Sequence, residues 1–283
     1  MTDNNVITEE TFIQTNINNT NSTTSSVDFH TSINRLVNQD TNITTLTFSN
    51  EFVESIEYLT GSTEDYYDAL EDDDISIDEM DDDDQLKINF YRQINTSGNI
   101  ENLLLGEQDT IYGNIANQIS TCPNLEHLII NGSGDWLCNN DYVYFFGELN
   151  PTSTTKVTFT DCSFDTSTIS NIQEIIFLPN LSKLIAHNCN FAKNTVGELF
   201  ENESYTKLEF IDCTFYKKPK TRGGDGKIIN HEKEDEDVLL ANYLSDCDLL
   251  QELTFIRCGL SIKAIRILTG ITINGTRIAD IEN

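Results

Sequence analysis

The 283-residue chain carries 47 acidic and 17 basic residues, which gives a net charge of −30 at pH 7. A charge of this sign argues against nucleic acid or an anionic membrane as the main partner, since either would require a basic field. No run approaches the roughly 18 apolar residues of a membrane span, and the N-terminus lacks the basic and apolar regions of a secretory signal. We therefore expect no membrane and no nucleic-acid partner.

The first 85 residues fall into three regions of different composition. Residues 1–26 are rich in Asn, Thr and Ser with few apolar anchors, which predicts a disordered polar arm. In residues 27–60, a strand-like segment at Ile43–Phe48 lies between two helix-like patterns, which indicates an N-terminal cap or a degenerate repeat.

Residues 61–85 form an acidic segment that includes Asp72–Asp74 and Asp81–Asp84. Dense like charges repel one another, which predicts a disordered, solvated insertion. Two functional interpretations stay open. Ile75–Ile77 resembles a SUMO-interacting motif, a β-prone segment that adds to a partner's sheet, and the whole run could instead bind a basic protein such as a histone.

From residue 86 to residue 283 the chain repeats an eleven-residue phrase, L-x-x-L-x-F-x-x-C-x-L, whose positions we number 1 to 11. Copies begin at Thr154, Leu181, Tyr205 and Leu250, and all four place cysteine at position 9. A repeat of this period indicates units that bury their apolar faces against one another. A further phrase at 100–105 precedes the Leu128 unit.

Positions 4 and 6 share one face of an extended segment, and positions 9 and 11 turn inward beneath it. Apolar residues between the phrases recur at helical spacing and predict three helix faces: Ile169, Ile172, Ile175 and Ile176, then Val238, Leu239, Tyr243 and Leu244, then Ile262, Ile265 and Leu268. We therefore predict an α/β leucine-rich repeat solenoid, a horseshoe with parallel strands on the concave face and helices on the convex face.

The interval between the last two cysteine phrases exceeds one repeat, which predicts a charged loop at 216–236. Within it, Lys217–Arg222 resembles a nuclear import signal, although a solvated basic loop would have the same composition. Downstream, Leu268–Ile278 has the strand pattern without cysteine, so we expect it to close the core as an atypical terminal unit.

Two segments, Cys122–Ile130 and Cys258–Ser261, make the chain resemble the cysteine-containing, ribonuclease-inhibitor-type leucine-rich repeat proteins. The resemblance covers residues 100–283 well and 30–60 loosely. It implies a curved scaffold that binds other macromolecules, usually proteins, and it does not identify the partner.

The chain holds seven cysteines, an odd number, and four of them share one buried phrase position. This pattern predicts reduced core thiols in an intracellular protein, cytoplasmic with a nuclear location left open. Close Cys pairs of the structural zinc type are absent from the sequence, and no nucleophile or acid–base pair is fixed by spacing. We therefore expect a non-enzymatic monomer without metal or cofactor.

The outward strand positions supply the candidate binding residues. Position 3 places three lysines in one row of an otherwise acidic protein, beside isoleucines at positions 5 and 7. Such a row either keeps the strands soluble or receives an acidic, apolar partner. The partner-binding candidates are His127, Ile129, Lys156, Thr158, Lys183, Ile185, His187, Lys207, Glu209, Ile211, Ile256 and Arg257.

The sequence favours a protein-interaction scaffold or adaptor that binds a partner protein, of unknown identity, on the concave face. Two other functions stay open. One is regulation of a partner enzyme, as an inhibitor or GTPase activator, and the other is an acidic chaperone for basic proteins such as histones. The acidic segment could also fold back and mask the lysine row.

Overall fold

The computed structural model describes residues 44–50, 108–133, 137, 141–200, 204–217, 235–273, 276–277 and 279–282. The predicted arm at 1–26, the acidic segment at 61–85 and most of the charged loop at 216–236 lie outside these residues. So does the phrase at 100–105.

Within the described ranges, the chain alternates strands and helices in an α/β arrangement. In chain order the strands are β1 Thr45–Phe48, β2 His127–Asn131, β3 Lys156–Thr160, β4 Ser163–Phe164, β5 Lys183–His187, β6 Asn190–Phe191, β7 Lys207–Ile211, β8 Thr214–Phe215, β9 Glu252–Ile256, β10 Thr272–Ile273, β11 Thr276–Arg277 and β12 Ala279–Glu282. The helices are α1 Gln108–Ser120, α2 Asp141–Glu148, α3 Thr166–Ile176, α4 Val196–Leu199, α5 Glu236–Ser245 and α6 Ile262–Leu268.

The described strands form one main parallel sheet in the order β1-β2-β3-β5-β7-β9-β12. Its register matches the repeat phrase, because the residues at position 4 are paired from strand to strand: Leu128, Val157, Leu184, Leu208 and Leu253. The short strands β4, β6 and β8 form a second parallel sheet, and β10 pairs antiparallel with β11.

One face of the main sheet is buried and the other is not. In β2, β3 and β7 buried residues alternate with half-buried ones, as the side-chain period of a strand requires. The buried side shares a single core with the helices, and each helix contacts the next along the row. The predicted strand–helix alternation is thus present.

The helices begin and turn as their sequences direct. The Asp165 carboxylate caps α3 by accepting a hydrogen bond from the Thr168 N–H at 2.9 Å, and this bond lowers the pKa of Asp165. At the start of α6, the Ser261 hydroxyl accepts from the Ala264 N–H. The predicted isoleucine face of α3 is buried.

Two predicted helix faces are wrong in part. Tyr243 of α5 is 42% exposed, while Leu240 and Ala241 are buried instead. Ile262 of α6 is 70% exposed. For Ile262 the physical reason is its position, since it opens α6, the last described helix of the row, where Ala264 and Leu268 are the buried residues.

Aromatic residues run through the core from one unit to the next. The rings at position 11, Phe164, Phe191 and Phe215, stack with centroids 5.0 and 4.8 Å apart. At position 1, two units have a hydroxyl-bearing residue in place of leucine, and both side chains are buried with the hydroxyl hydrogen-bonded. Thr154 donates to the Leu125 carbonyl at 2.7 Å, and Tyr205 donates to the Ile176 carbonyl at 3.4 Å.

The two ends of the sheet differ from the prediction. The predicted closing strand around Ile271–Ile273 does not join the main sheet, because β10 pairs with β11. The strand that pairs with β9 is β12, with Ala279 opposite Leu253. At the other end β1 pairs directly with β2, with Leu46 opposite Leu128, so the strand predicted within the cap or degenerate repeat is a neighbour of β2.

Candidate protein-interaction surface

The exposed strand face consists of phrase positions 3, 5 and 7 of the main sheet. Strand pairing brings the position 3 residues into one row, as predicted: His127, Lys156, Lys183, Lys207 and Glu252. Beside it lies the position 5 row of Ile129, Thr158, Ile185, Glu209 and Thr254, and then the position 7 row of Asn131, Thr160, His187, Ile211 and Ile256. Apart from the exposed Lys183 and Glu252, these side chains are half-buried.

The three lysines of the position 3 row have different surroundings. Lys207 lies 3.3 Å from a carboxylate oxygen of Glu252 and 3.7 Å from one of Glu209. Lys183 is exposed, and no acidic side chain of the described ranges is within ion-pair distance of it. Nearby, His127 Nε2 and Thr158 Oγ1 are 2.8 Å apart, which fixes the imidazole over β3.

The turn after each strand places a second polar row at position 8. Asp161, Asn188, Asp212 and Arg257 all adopt positive φ between 51° and 55°. Each backbone N–H then donates to the position 7 carbonyl of the following strand. Asn and Asp tolerate this left-handed conformation, whereas Arg257 is an unusual residue for it.

An ion pair at this row adjoins the exposed strand face. The Arg257 guanidinium donates two hydrogen bonds of 2.6 Å to the Asp212 carboxylate, and these bonds lower the pKa of Asp212 and raise the pKa of Arg257. His187 Nε2 lies 3.7 Å from the same carboxylate. Arg257 is therefore engaged with Asp212, and its side chain is 58% exposed.

The position 9 cysteines form a ladder beneath the strands. Each thiol donates to the position 6 carbonyl of the preceding strand at 3.3–3.5 Å, the four thiols being those of Cys162, Cys189, Cys213 and Cys258. Burial raises the pKa of Cys189, and the hydrogen bond with Cys189 raises the pKa of Cys213 to about 12. Protonated, buried thiols of this kind are poor nucleophiles and poor metal ligands.

All six cysteines of the described ranges are free, and the four at position 9 are buried in the core, as the phrase predicts. Within the same ranges, no three His, Cys, Asp or Glu side chains are grouped so that they could hold a metal ion. None of the described helices combines the length and apolarity needed to cross a bilayer.

Two acidic residues at the start of α5 have a role that sequence reasoning missed. Glu236 and Asp237 are buried, at 2% and 1% exposure. The Glu236 carboxylate accepts from the Asn194 N–H at 2.7 Å and the Val196 N–H at 3.3 Å, at the start of α4. Asp237 accepts from the Ser261 N–H at 2.6 Å, at the start of α6. One dipeptide thus caps both neighbouring helices.

No protein-family model matches the sequence, and no curated protein matches it.

Proposed function

We propose that the chain is a leucine-rich repeat solenoid of the ribonuclease-inhibitor-like type that acts as a non-enzymatic interaction scaffold. Its partner protein binds on the exposed strand face. The units that support this are strand–helix pairs with cysteine at position 9 and a common register. The free thiols favour an intracellular location, and we propose a monomer.

One observation carries the proposal. The exposed strand face is a continuous surface, and it combines half-buried isoleucines with a lysine row on a protein of net charge −30. Like charges on adjacent strands are unfavourable, so the row costs stability in the free protein. The half-buried isoleucines also leave apolar area in water that a bound partner would cover. Both features are explained by a bound partner.

The test compares affinity capture by variants of the full chain from cell lysate. The face variant reverses Lys156, Lys183 and Lys207 to Glu. Its charge-matched control reverses Lys193, Lys263 and Arg266, which lie after β6 and on α6, away from the face. A protein lost only with the face variant is then purified and its affinity measured by calorimetry.

We expect direct binding that the face variant weakens and the control variant leaves within about twofold. If a captured protein still binds the face variant but does not bind a chain that lacks residues 62–85, the acidic segment is the part that binds partners. That result would overturn the scaffold proposal and favour the chaperone for basic proteins.

A further inference from the structure

We propose that the partner binds the β2–β5 half of the exposed strand face through an extended acidic and apolar segment, with a carboxylate at Lys183 and an apolar side chain at Ile185. This inference rests on the proposed function and specifies its partner chemistry. It assigns binding to one half of the face, whereas the sequence alone did not distinguish the two halves.

Charge is segregated between the two halves of the face. Beyond β5, the outward positions of β7, β9 and β12 carry carboxylates at Glu209, Glu252, Asp280 and Glu282. Before β7, the outward positions of β2, β3 and β5 carry none, and Lys156 and Lys183 lie there side by side. An acidic segment is therefore attracted to one half and repelled from the other.

Lys183 is the natural anchor for an anion. It pairs in register with Lys156 on one side and Lys207 on the other, at the roughly 4.8 Å spacing of adjacent strands. Across the described ranges no carboxylate is near enough to pair with it. The positive charges of these adjacent lysines repel one another, and a bound carboxylate would offset that repulsion. Because the Lys183 side chain is exposed, its ammonium can reach the carboxylate without prior desolvation.

The border of the site lies at Lys207. Its ammonium is held by Glu252 at 3.3 Å and Glu209 at 3.7 Å, so its charge is largely matched within the protein. Releasing Lys207 from Glu252 would extend the basic half by one strand. The charge segregation thus predicts one substitution that strengthens binding, Glu252→Gln, and one that weakens it, Lys183→Glu.

The apolar contact follows from strand geometry. Ile185 lies two residues after Lys183 on β5, so their side chains share the exposed face about 6.6–7 Å apart. Ile129 lies in the same row two strands away. An extended segment has the same two-residue period, so an acidic residue followed by an apolar one at the second position matches Lys183 and Ile185.

The test measures binding of a fluorescein-labelled peptide built from three Glu-Ser-Val-Ser repeats to the full chain by anisotropy. A second peptide carries Gln in place of Glu. The variants are Lys183→Glu, Lys183→Arg and Glu252→Gln, with Lys193→Glu as the charge-matched control on a turn away from the face.

We expect the Glu peptide to bind more tightly than the Gln peptide, with a difference that shrinks as salt rises. Lys183→Glu should lower the affinity about tenfold or more, while Lys183→Arg and Lys193→Glu stay within about twofold of the unmodified chain. Glu252→Gln should raise the affinity several-fold. Because that variant gains binding, a folding defect cannot imitate its result.

Equal binding of the two peptides, no binding of the Glu peptide, or equal losses in Lys183→Glu and Lys193→Glu would each overturn the inference. So would binding that appears only after deletion of residues 62–85, since the chain's own acidic segment would then be the occupant. A captured partner that the triple lysine reversal displaces and Lys183→Glu alone does not would overturn this inference and leave the proposed function standing.

Discussion

Cysteine at position 9 has a specific physical task. The chain turns through a left-handed residue at position 8, which directs the next side chain under the preceding strand. A thiol there fills a small apolar space and donates to a main-chain carbonyl, as Cys189 does to Phe159. Where the phrase has Ser133 instead, the side chain is exposed rather than buried. The ladder is therefore structural.

The ladder makes the folded state sensitive to alkaline pH. Because the pKa of Cys213 is raised from 9.0 to about 12, the folded protein holds a proton that the unfolded chain releases between these values. The associated stability is complete below pH 9 and is lost as pH rises toward 12, by at most about 1.4 kcal/mol per pH unit for this group.

Urea unfolding at pH 8, 9, 10 and 10.5 should show this decline, and Cys213→Ala should show a shallower one. The quantity to compare is the slope of the free energy of unfolding against pH, because removal of the thiol also lowers stability at every pH by leaving a small cavity. Parallel slopes for the two proteins would contradict the assignment.

Two glycines should respond in opposite ways to alanine. A Cβ at Gly132 would lie 2.8 Å from Cys162 Cα, a backbone atom that cannot move aside, so Gly132→Ala should cost about 1–3 kcal/mol. Gly147, in α2, has no heavy atom within 4 Å of that position, so Gly147→Ala should stabilise by about 0.5–1 kcal/mol. Free energies of unfolding in urea measure both, and equal effects would contradict the close packing at Gly132.

At the scale of elements, α5 ties its two neighbours together. α4 has no side-chain cap of its own, and Glu236 supplies one from the adjacent helix. α6 has Ser261 as its N-cap, and Asp237 bonds the N–H of that residue. The two substitutions Glu236→Ala and Asp237→Ala should each cost about 1–2 kcal/mol.

Native-state hydrogen exchange separates the two caps. Glu236→Ala should accelerate exchange of the Asn194 and Val196 amides and spare that of Ser261, while Asp237→Ala should do the reverse. The two variants are controls for each other. Acceleration of the same amides in both would mean that the acids act on global stability rather than as caps.

Strand register was predictable, whereas helix orientation and the caps were not. The phrase fixes which residues face inward, because position 4 and position 6 must be buried on the same side. Glu236 and Asp237 end an acidic run from Glu232, which is typical of a solvated loop. Their burial depends on the helix ends of α4 and α6, which no local pattern records. Tyr243 and Ile262 likewise depend on which neighbours a helix has.

For the whole molecule, the sequence predicted the lysine row but not its unequal environments. Projection of the phrase placed Lys156, Lys183 and Lys207 side by side, and the sheet register confirms that arrangement. Among the described residues, Lys207 has carboxylate partners and Lys183 has none, and this difference depends on the reach of Glu209 along the strand and of Glu252 from the next strand. Closure of the sheet by β12 also adds Asp280 and Glu282 to the acidic half, which the predicted closing strand would not have done.

The exposed strand face as a binding surface is tested most directly by isoleucine methyl NMR during titration with the Glu-Ser-Val-Ser peptide. Isoleucines sample both halves of the face, the core and one helix: Ile129 and Ile185 lie on the basic half of the face, Ile256 on the other half, Ile172 in the core and Ile262 on α6. We predict that the methyl resonances of Ile129 and Ile185 shift in proportion to peptide bound, while those of Ile172 and Ile262 stay in place. Shifts confined to Ile262, or none at Ile185 at saturation, would contradict the account.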